Sequence, residues 1–277
     1  YGIRKDNRYV VKGEAGSPYA IKDYYDIDPD LAEEPSTRMQ EFEALVTRTH
    51  EVGLKVVLDF VPNHVARQYH SDTAPEGVDD LGAHDNKEMH FSPSNNFYYI
   101  PRQAFTPQFY IGEGEERYFE YPAKATGNDC FGAFPGEYDW YETVKLNYGV
   151  DYTGGGRCHF DPIPDTWYKM LDILLFWCGK GADAFRCDMA HMVPVEFWNW
   201  AISKVKENYP SVIFIAEIYD QALYRVYIEK GKFDYLYDKV GLYDKLRGVL
   251  CHQVSAAQLT YCWQSVDGIG GKMLNFL

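Results

Sequence analysis

The chain has 277 residues, enough to bury a large core as one α/β barrel or as a smaller domain with an insertion. Its formal net charge of −14 argues against nucleic acid and anionic membrane surfaces as partners. No apolar run approaches the ~20 residues of a membrane-spanning helix, and no basic-then-apolar signal peptide opens the sequence. Because the first residue is Tyr1 rather than Met, we expect either a processed protein or a fragment.

Aromatic residues make up 17% of the composition and include 24 tyrosines. Exposed aromatic rings stack on the apolar faces of sugars, so this excess favours a carbohydrate ligand, although core packing accounts for many of the rings. The six cysteines show no CxxC spacing. This favours free thiols, with a disulfide between two of them as the alternative.

The N-terminal part of the chain predicts a loop, a helix and a strand. Residues 1–35 contain several Gly and Pro and read as loop. Ser36 is the N-cap of a predicted helix that ends near Val52 before Gly53. Its predicted inner face carries Phe42, Leu45, Val46 and Thr49. The β-branched-rich run from Leu54 to Pro62 predicts a strand.

Residues 65–150 interrupt this alternation. They are rich in Gly, Pro, Asn and Tyr and show no sustained helical period. A structureless loop of that length is improbable, so we interpret the stretch as an irregular inserted subdomain with a few short strands.

Regular elements resume at Asp165 and continue to the end of the chain. Two helices are predicted, from Asp165 to about Cys178 and from about Pro194 to Asn208, and residues 240–263 read as mostly helical. Four more strands are predicted over residues 181–187, 212–216, 233–237 and 272–277. Five strands alternating with helices predict a parallel sheet, either open and doubly wound or a barrel that lacks strands at both ends. Because the chain stops within a strand pattern, the incomplete barrel is favoured.

Polar side chains collect where three of these strands end: Asp59 with Asn63 and His64, Arg186 with Asp188 and His191, and Glu217. The carboxyl ends of parallel strands face the same way, and this is where barrels build active sites. Two carboxylates there can lie about 5–5.5 Å apart, as in retaining glycosidases. Arg186 is expected to lower the pKa of Asp188, and the apolar approach to Glu217 is expected to keep a proton on that residue. The alternative is a set of ion pairs that stabilises the barrel rim.

Four ordered segments resemble signature motifs of the α-amylase family of glycoside hydrolases: Gly16–Tyr25, Asp59–His64, Gly181–His191 and Phe214–Ile218. The resemblance implies a (β/α)8 TIM barrel with an irregular subdomain inserted after the third strand. On this basis residues 1–64 and 151–277 form the catalytic barrel portion and residues 65–150 the inserted subdomain. The barrel is expected to be incomplete, without its first strands and without everything after the seventh.

The resemblance also implies site residues. Asp188 is the implied nucleophile, Glu217 the general acid/base, and Arg186 the residue that orients Asp188. His64 is implied to hydrogen-bond the reacting sugar, and Tyr19 to stack in the same subsite.

The sequence departs from the family pattern at three places. The family's third carboxylate would lie beyond Leu277. The family's calcium site uses an Asn at the position of Asn63, but Lys145 replaces an expected acidic ligand, so no cofactor is expected to be required and Ca²⁺ is doubtful. His191, a candidate substrate-binding residue, stands where many members carry Lys.

The function that these motifs imply is retaining hydrolysis of α-glucosidic bonds in starch-like glucans, with an α-glucan or oligosaccharide as substrate. Transglycosylation or α-glucosidase activity on the same scaffold is the first alternative, and a non-catalytic glucan-binding member is the second. A polysaccharide substrate favours export. If these 277 residues were the whole protein, the open barrel would be expected neither to fold stably nor to turn over substrate.

Overall fold

The computed structural model describes residues 6–109 and 117–275 and divides into two compact units. The first unit comprises Tyr1–Arg48 and Asn63–Phe176, and the second comprises Thr49–Pro62 and Trp177–Leu277. The division by compactness does not test the predicted division into barrel portion and insertion, which stays a prediction. All six cysteines are free: Cys178, Cys187 and Cys262 are buried, whereas Cys158 and Cys251 are exposed.

The described residues form six α-helices and eleven short strands. The helices are α1 (Arg38–Glu51), α2 (Asp165–Gly179), α3 (Val195–Asn208), α4 (Gln221–Glu229), α5 (Asp244–Leu250) and α6 (Leu259–Ser265). The strands are β1 (Val57–Phe60), β2 (His64–Ala66), β3 (Tyr99–Ile100), β4 (Ala123–Lys124), β5 (Thr143–Lys145), β6 (Val150–Asp151), β7 (Arg157–Cys158), β8 (Ala184–Cys187), β9 (Ile213–Ala216), β10 (Tyr235–Tyr237) and β11 (Met273–Leu274). None of the helices described combines the length and the apolar character needed to cross a membrane.

The second unit is built on a parallel sheet whose strand order is β1-β8-β9-β10-β11. Its five strands are the five that the sequence predicts. The last of them was predicted over residues 272–277, of which 276 and 277 lie outside the described residues. Helical segments connect successive strands from β8 onward, as parallel pairing requires.

The core of this unit is aromatic. The rings of Phe60, Phe185 and Phe214 lie side by side on β1, β8 and β9, with centroids 6.1 Å and 5.5 Å apart. Trp198 of α3 packs against Phe60 at 6.4 Å and against Phe233 at 4.8 Å. Such pairs stabilise a core by more than their buried area alone. This packing holds the three sheet strands that carry the polar strand ends.

The predicted helix 36–52 is observed as a short 3₁₀ turn followed by α1. Its inner face is narrower than the sequence suggested, because Val46 is buried whereas Leu45 is 51% exposed. Successive helical residues are rotated by about 100°, which places Leu45 at the edge of the face that Val46 defines. Phe42 and Thr49, four residues before and three after Val46, are half-buried.

Helix α4 was not predicted from the sequence. It begins after Asp220, whose side chain accepts a hydrogen bond from the amide of Ala222, and it buries Tyr224, Tyr227 and Ile228. The stretch expected to be mostly helical over residues 240–263 consists of a π-helical turn over Lys239–Tyr243, then α5, a 3₁₀ turn and α6.

The first unit contains three two-stranded antiparallel pairs, β2–β5, β3–β4 and β6–β7. Most of its strands lie within residues 65–150, where a few short strands were expected. Arg67 is buried at its centre and donates to Glu120 at 2.7 Å and to the carbonyls of Tyr141 and Thr143. Its guanidinium lies 4.0 Å from the ring centroid of Phe105. A buried guanidinium is tolerated here because its donors are satisfied.

Candidate active site

The strand register brings the predicted carboxylates of the second unit to one edge of the sheet. Asp59 of β1 is the direct neighbour of Arg186 on β8, and Cys187 is the neighbour of Ala216 on β9. The amide of Asp188 donates to the carbonyl of Phe60 at 2.8 Å, and the amide of Glu217 donates to the carbonyl of Cys187 at 3.0 Å. Asp188 and Glu217 therefore leave neighbouring strands at the same level.

Arg186 contacts all three carboxylates. Its Nη1 donates to Asp59 Oδ1 and to Asp188 Oδ1, each at 2.9 Å, and its Nη2 lies 2.5 Å from Glu217 Oε1. Burial alone would lower the pKa of Arg186, but Asp59, followed by Glu217 and Asp188, raises it overall. The guanidinium is thus a permanent cation that fixes the positions of the surrounding carboxylates.

Asp188 and Glu217 interact directly. Burial, followed by the charge of Glu217 and a hydrogen bond between the two side chains, raises the pKa of Asp188 to about 7, although Arg186 opposes the shift. Arg186 lowers the pKa of Asp188, as expected, but burial and the second carboxylate outweigh it and the net shift is upward.

Glu217 has two further hydrogen-bond donors. The hydroxyl of Tyr219 donates to Glu217 Oε1 at 2.7 Å, and the amide of Met189 donates to Glu217 Oε2 at 3.2 Å. Met189 has a φ of 45°, a left-handed conformation that is uncommon for a residue with a side chain. This turn directs the Met189 amide towards Glu217, so local strain accompanies the positioning of the carboxylate.

His191 and Lys239 lie next to Tyr219. The His191 ring is 6.3 Å from the Tyr219 ring in an edge-on arrangement, and Lys239 Nζ is 5.6 Å from the Tyr219 ring centroid. Tyr219 was not predicted as a site residue, and Asp59 was predicted only as a polar strand end. The signal for Tyr219 was its position two residues after Glu217, since alternate residues of an extended chain share a side.

Tyr19 and His64, the other predicted substrate-binding residues, lie together in the first unit. His64 is 3% exposed, hydrogen-bonds the backbone of Tyr19, and packs its ring 5.2 Å from that of Trp140. Burial, followed by the charge of Lys145, lowers the pKa of His64 to about 3. His64 is therefore a neutral imidazole, and Tyr19 beside it is 37% exposed.

The residues at the family's calcium position do not fit a calcium ion. The ammonium of Lys145 lies 2.5 Å from Asn63 Oδ1 and 2.7 Å from Asp129 Oδ1. Calcium takes six to eight oxygen ligands, whereas an ammonium offers donors alone. Within residues 6–109 and 117–275, no group of three or more His, Cys, Asp or Glu side chains is placed to hold a metal ion.

A family model described as the catalytic domain of α-amylase matches residues 11–133. Among curated proteins, the α-1,4-glucan:maltose-1-phosphate maltosyltransferase of Pseudomonas aeruginosa is 24% identical over 242 residues, covering 84% of this chain and 27% of that protein. The Cereibacter sphaeroides protein of the same name is 36% identical over 107 residues, covering 36% of this chain and 18% of that protein. The chain thus spans about a quarter or less of the length of these relatives.

Solved structures share the fold. An α-amylase from Lactobacillus plantarum superposes with a TM-score of 0.59 at 24% identity, covering 96% of this chain and 50% of that one. A cyclic α-maltosyl-(1→6)-maltose hydrolase from Arthrobacter globiformis gives 0.60 at 18% identity with the same coverage. The parallel sheet corresponds to part of the (β/α)8 barrel that such enzymes share. The chain is therefore similar to the α-amylase family in sequence over residues 11–133 and in fold over most of its length.

Proposed function

We propose that this chain carries the catalytic pair of a retaining enzyme that cleaves α-glucosidic bonds of glucans. Asp188 is the nucleophile, Glu217 the general acid/base, and Arg186 the residue that orients both. The observation that carries the proposal is that one guanidinium contacts both carboxylates while a hydrogen bond joins them. Retaining glycosidases require one ionised and one protonated carboxyl group, so the reaction begins from the form of the pair in which the proton lies on Glu217.

The proposed reaction has two steps. An Asp188 carboxylate oxygen attacks the anomeric carbon, the glycosidic C–O bond breaks, and the leaving oxygen takes the proton of Glu217. In the second step Glu217 removes a proton from water, whose oxygen attacks the anomeric carbon and releases Asp188. Arg186 keeps its contacts with both side chains, so the carboxylates need little rearrangement between the steps.

The contacts around Glu217 support its assignment as acid/base. Tyr219 and the Met189 amide hold its two oxygens in different directions. A carboxyl group held in one orientation can donate its proton to the leaving oxygen in the first step and accept a proton from water at the same position in the second. Tyr19, His64 and His191 are proposed as substrate-binding residues.

Transfer to a sugar acceptor instead of water is the second candidate. Both curated relatives described above are named maltosyltransferases, and the name gives α-1,4-glucan and maltose 1-phosphate as their substrates. Transfer and hydrolysis share the first step, and they differ in whether water or a sugar hydroxyl attacks the glycosyl-enzyme.

Two variants of the full-length protein test the catalytic assignment. Asp188→Asn and Glu217→Gln are expected to lower the rate of starch or maltotriose cleavage by at least about 10³-fold, since retaining chemistry needs both groups. Glu229→Gln, at an exposed residue that pairs with Arg225, is the matched control and is expected to retain activity. Full activity in Asp188→Asn would overturn the proposal. A wild-type protein that binds glucan but neither hydrolyses nor transfers it would favour the non-catalytic alternative.

Mass spectrometry identifies the nucleophile, and product analysis distinguishes hydrolysis from transfer. Glu217→Gln incubated with α-glucosyl fluoride, whose leaving group needs no acid, is expected to accumulate a glycosyl adduct on Asp188. An adduct on another residue would contradict the assignment of the nucleophile. Product analysis of the wild type with soluble starch, maltotriose, sucrose or maltose 1-phosphate then shows whether water or glucan is the acceptor.

A further inference from the structure

Lys145 is a buried cation at the centre of the first unit. It is 2% exposed on β5, where it pairs with His64 of β2 in antiparallel register. Its ammonium lies 2.5 Å from Asn63 Oδ1 and 2.7 Å from Asp129 Oδ1, and 5.5 Å from the ring centroid of Tyr152. Three separate parts of the chain therefore converge on one ammonium.

The backbone around Lys145 is arranged for this convergence. Asp129 has a φ of 63° in a turn where its amide donates to the carbonyl of Thr126. Asn63 Nδ2 donates to the carbonyl of Gly127 at 2.7 Å, while Asn63 Oδ1 faces the ammonium. A Cβ at Gly127 would lie 2.5 Å from Thr143 Oγ1, so the turn approaches β5 as closely as glycine permits.

The charge at this position suits an ammonium better than a divalent ion. Asp129 supplies a carboxylate that one positive charge neutralises, and Asn63 supplies a neutral oxygen that the ammonium can use as an acceptor. A calcium ion would need several more oxygen ligands in the space that the lysine side chain fills. The residue expected to be an acidic ligand is thus itself the cation.

We propose that Lys145 is the resident cation of this site, that it fastens the turn formed by residues 126–130 to β2 and β5, and that the site works without a metal ion. The proposal concerns the stability of the first unit and goes beyond the proposed activity. It stands or falls separately from the roles of Asp188 and Glu217.

Thermal unfolding of the full-length protein, in about 5 mM CaCl₂ and in excess EDTA, tests whether its stability is independent of metal ions. The wild type is expected to unfold at the same temperature in both conditions. Lys145→Met removes the charge at similar volume and is expected to lower the unfolding temperature by about 10 °C in both, because it leaves Asp129 and Asn63 without their donor. Lys124→Met, at a half-buried lysine of this unit that pairs with Glu120, is the control for loss of a different ammonium and is likewise expected to show no calcium dependence.

A third variant tests the exchange of cation for ligand. Lys145→Asp would place a second carboxylate beside Asn63 and Asp129, and calcium is expected to raise its unfolding temperature by several degrees relative to EDTA. Terbium luminescence, with Tb³⁺ as the probe, is expected to report binding to this variant and not to the wild type. Calcium stabilisation of the wild type, terbium binding at this site in the wild type, or a Lys145→Met variant as stable as the wild type would overturn the proposal.

Discussion

Asp188 shows how burial competes with a neighbouring cation at the scale of one residue. Arg186 donates to it at 2.9 Å, yet its pKa rises to about 7 because burial and Glu217 act in the opposite direction. Asp188 therefore loses its proton near neutral pH rather than near pH 4. Arg186 fixes the positions of the carboxylates, whereas burial governs the protonation of Asp188.

The hydroxyl of Tyr219 is expected to matter for turnover. Tyr219→Phe removes the donor to Glu217 Oε1, and a hydrogen bond to a carboxylate contributes about 1.5–3 kcal/mol. We expect kcat to fall by about 10- to 100-fold while KM changes little, because the substrate contacts remain. Steady-state kinetics on maltotriose with Tyr261→Phe, a change at a 60% exposed tyrosine, as control checks this. A wild-type kcat in Tyr219→Phe would show that Arg186 and the Met189 amide suffice to orient Glu217.

The sequence located the strand-end residues of the second unit because strand periodicity places them. Arg186, Asp188 and Glu217 follow predicted strands, and parallel pairing brings such ends together. Asp129 could not be found this way. Its contact with Lys145 depends on a turn and on the β2–β5 pairing, which joins residues about 80 positions apart. No local sequence pattern encodes such a contact.

Among the elements, α4 shows where residue propensities obscure a helical spacing. Its segment Leu223–Ile228 is rich in aromatic and β-branched residues, which favour strands as strongly as helices. The apolar residues Tyr224, Tyr227 and Ile228 nevertheless follow helical spacing, and Asp220 provides the N-cap. A helix of nine residues offers too few repeats for that spacing to stand out.

The turn after β10 depends on one buried side chain. Asp238 is 2% exposed and accepts hydrogen bonds from the amides of Gly241 at 2.9 Å and Leu242 at 3.1 Å. Asp238→Ala is expected to lower the free energy of unfolding by about 1–3 kcal/mol, because one buried and one half-buried amide lose their acceptor. Urea unfolding followed by circular dichroism measures the change. Asp220→Ala, at the exposed cap of α4, is the comparison and is expected to cost about 1 kcal/mol. An equal or larger loss in Asp220→Ala would argue against the importance of burial.

At the scale of the whole molecule, the parallel sheet was predictable and the first unit largely was not. Five predicted strands match β1, β8, β9, β10 and β11 because each is a short apolar run bounded by turns. The strands of the first unit are two or three residues long and pair in antiparallel register across long loops. Packing around buried polar groups such as Arg67 organises that unit, and such packing produces no periodic pattern in the sequence.

The protonation of the catalytic pair is also expected to set how global stability varies with pH. The pKa of Asp188 is about 7 in the folded protein and about 3.8 for an ordinary aspartate. Between these values the folded state retains a proton that the unfolded state has released, so this contribution to stability decreases as the pH rises from about 4 to about 7. Asp188→Asn abolishes it, so the variant is expected to gain stability over the wild type with rising pH, by roughly 4 kcal/mol at about pH 8. Urea unfolding of both proteins at several pH values measures the difference, with Glu229→Gln as the control that should track the wild type. A difference independent of pH would mean that the pKa of Asp188 is the same in the folded and unfolded states.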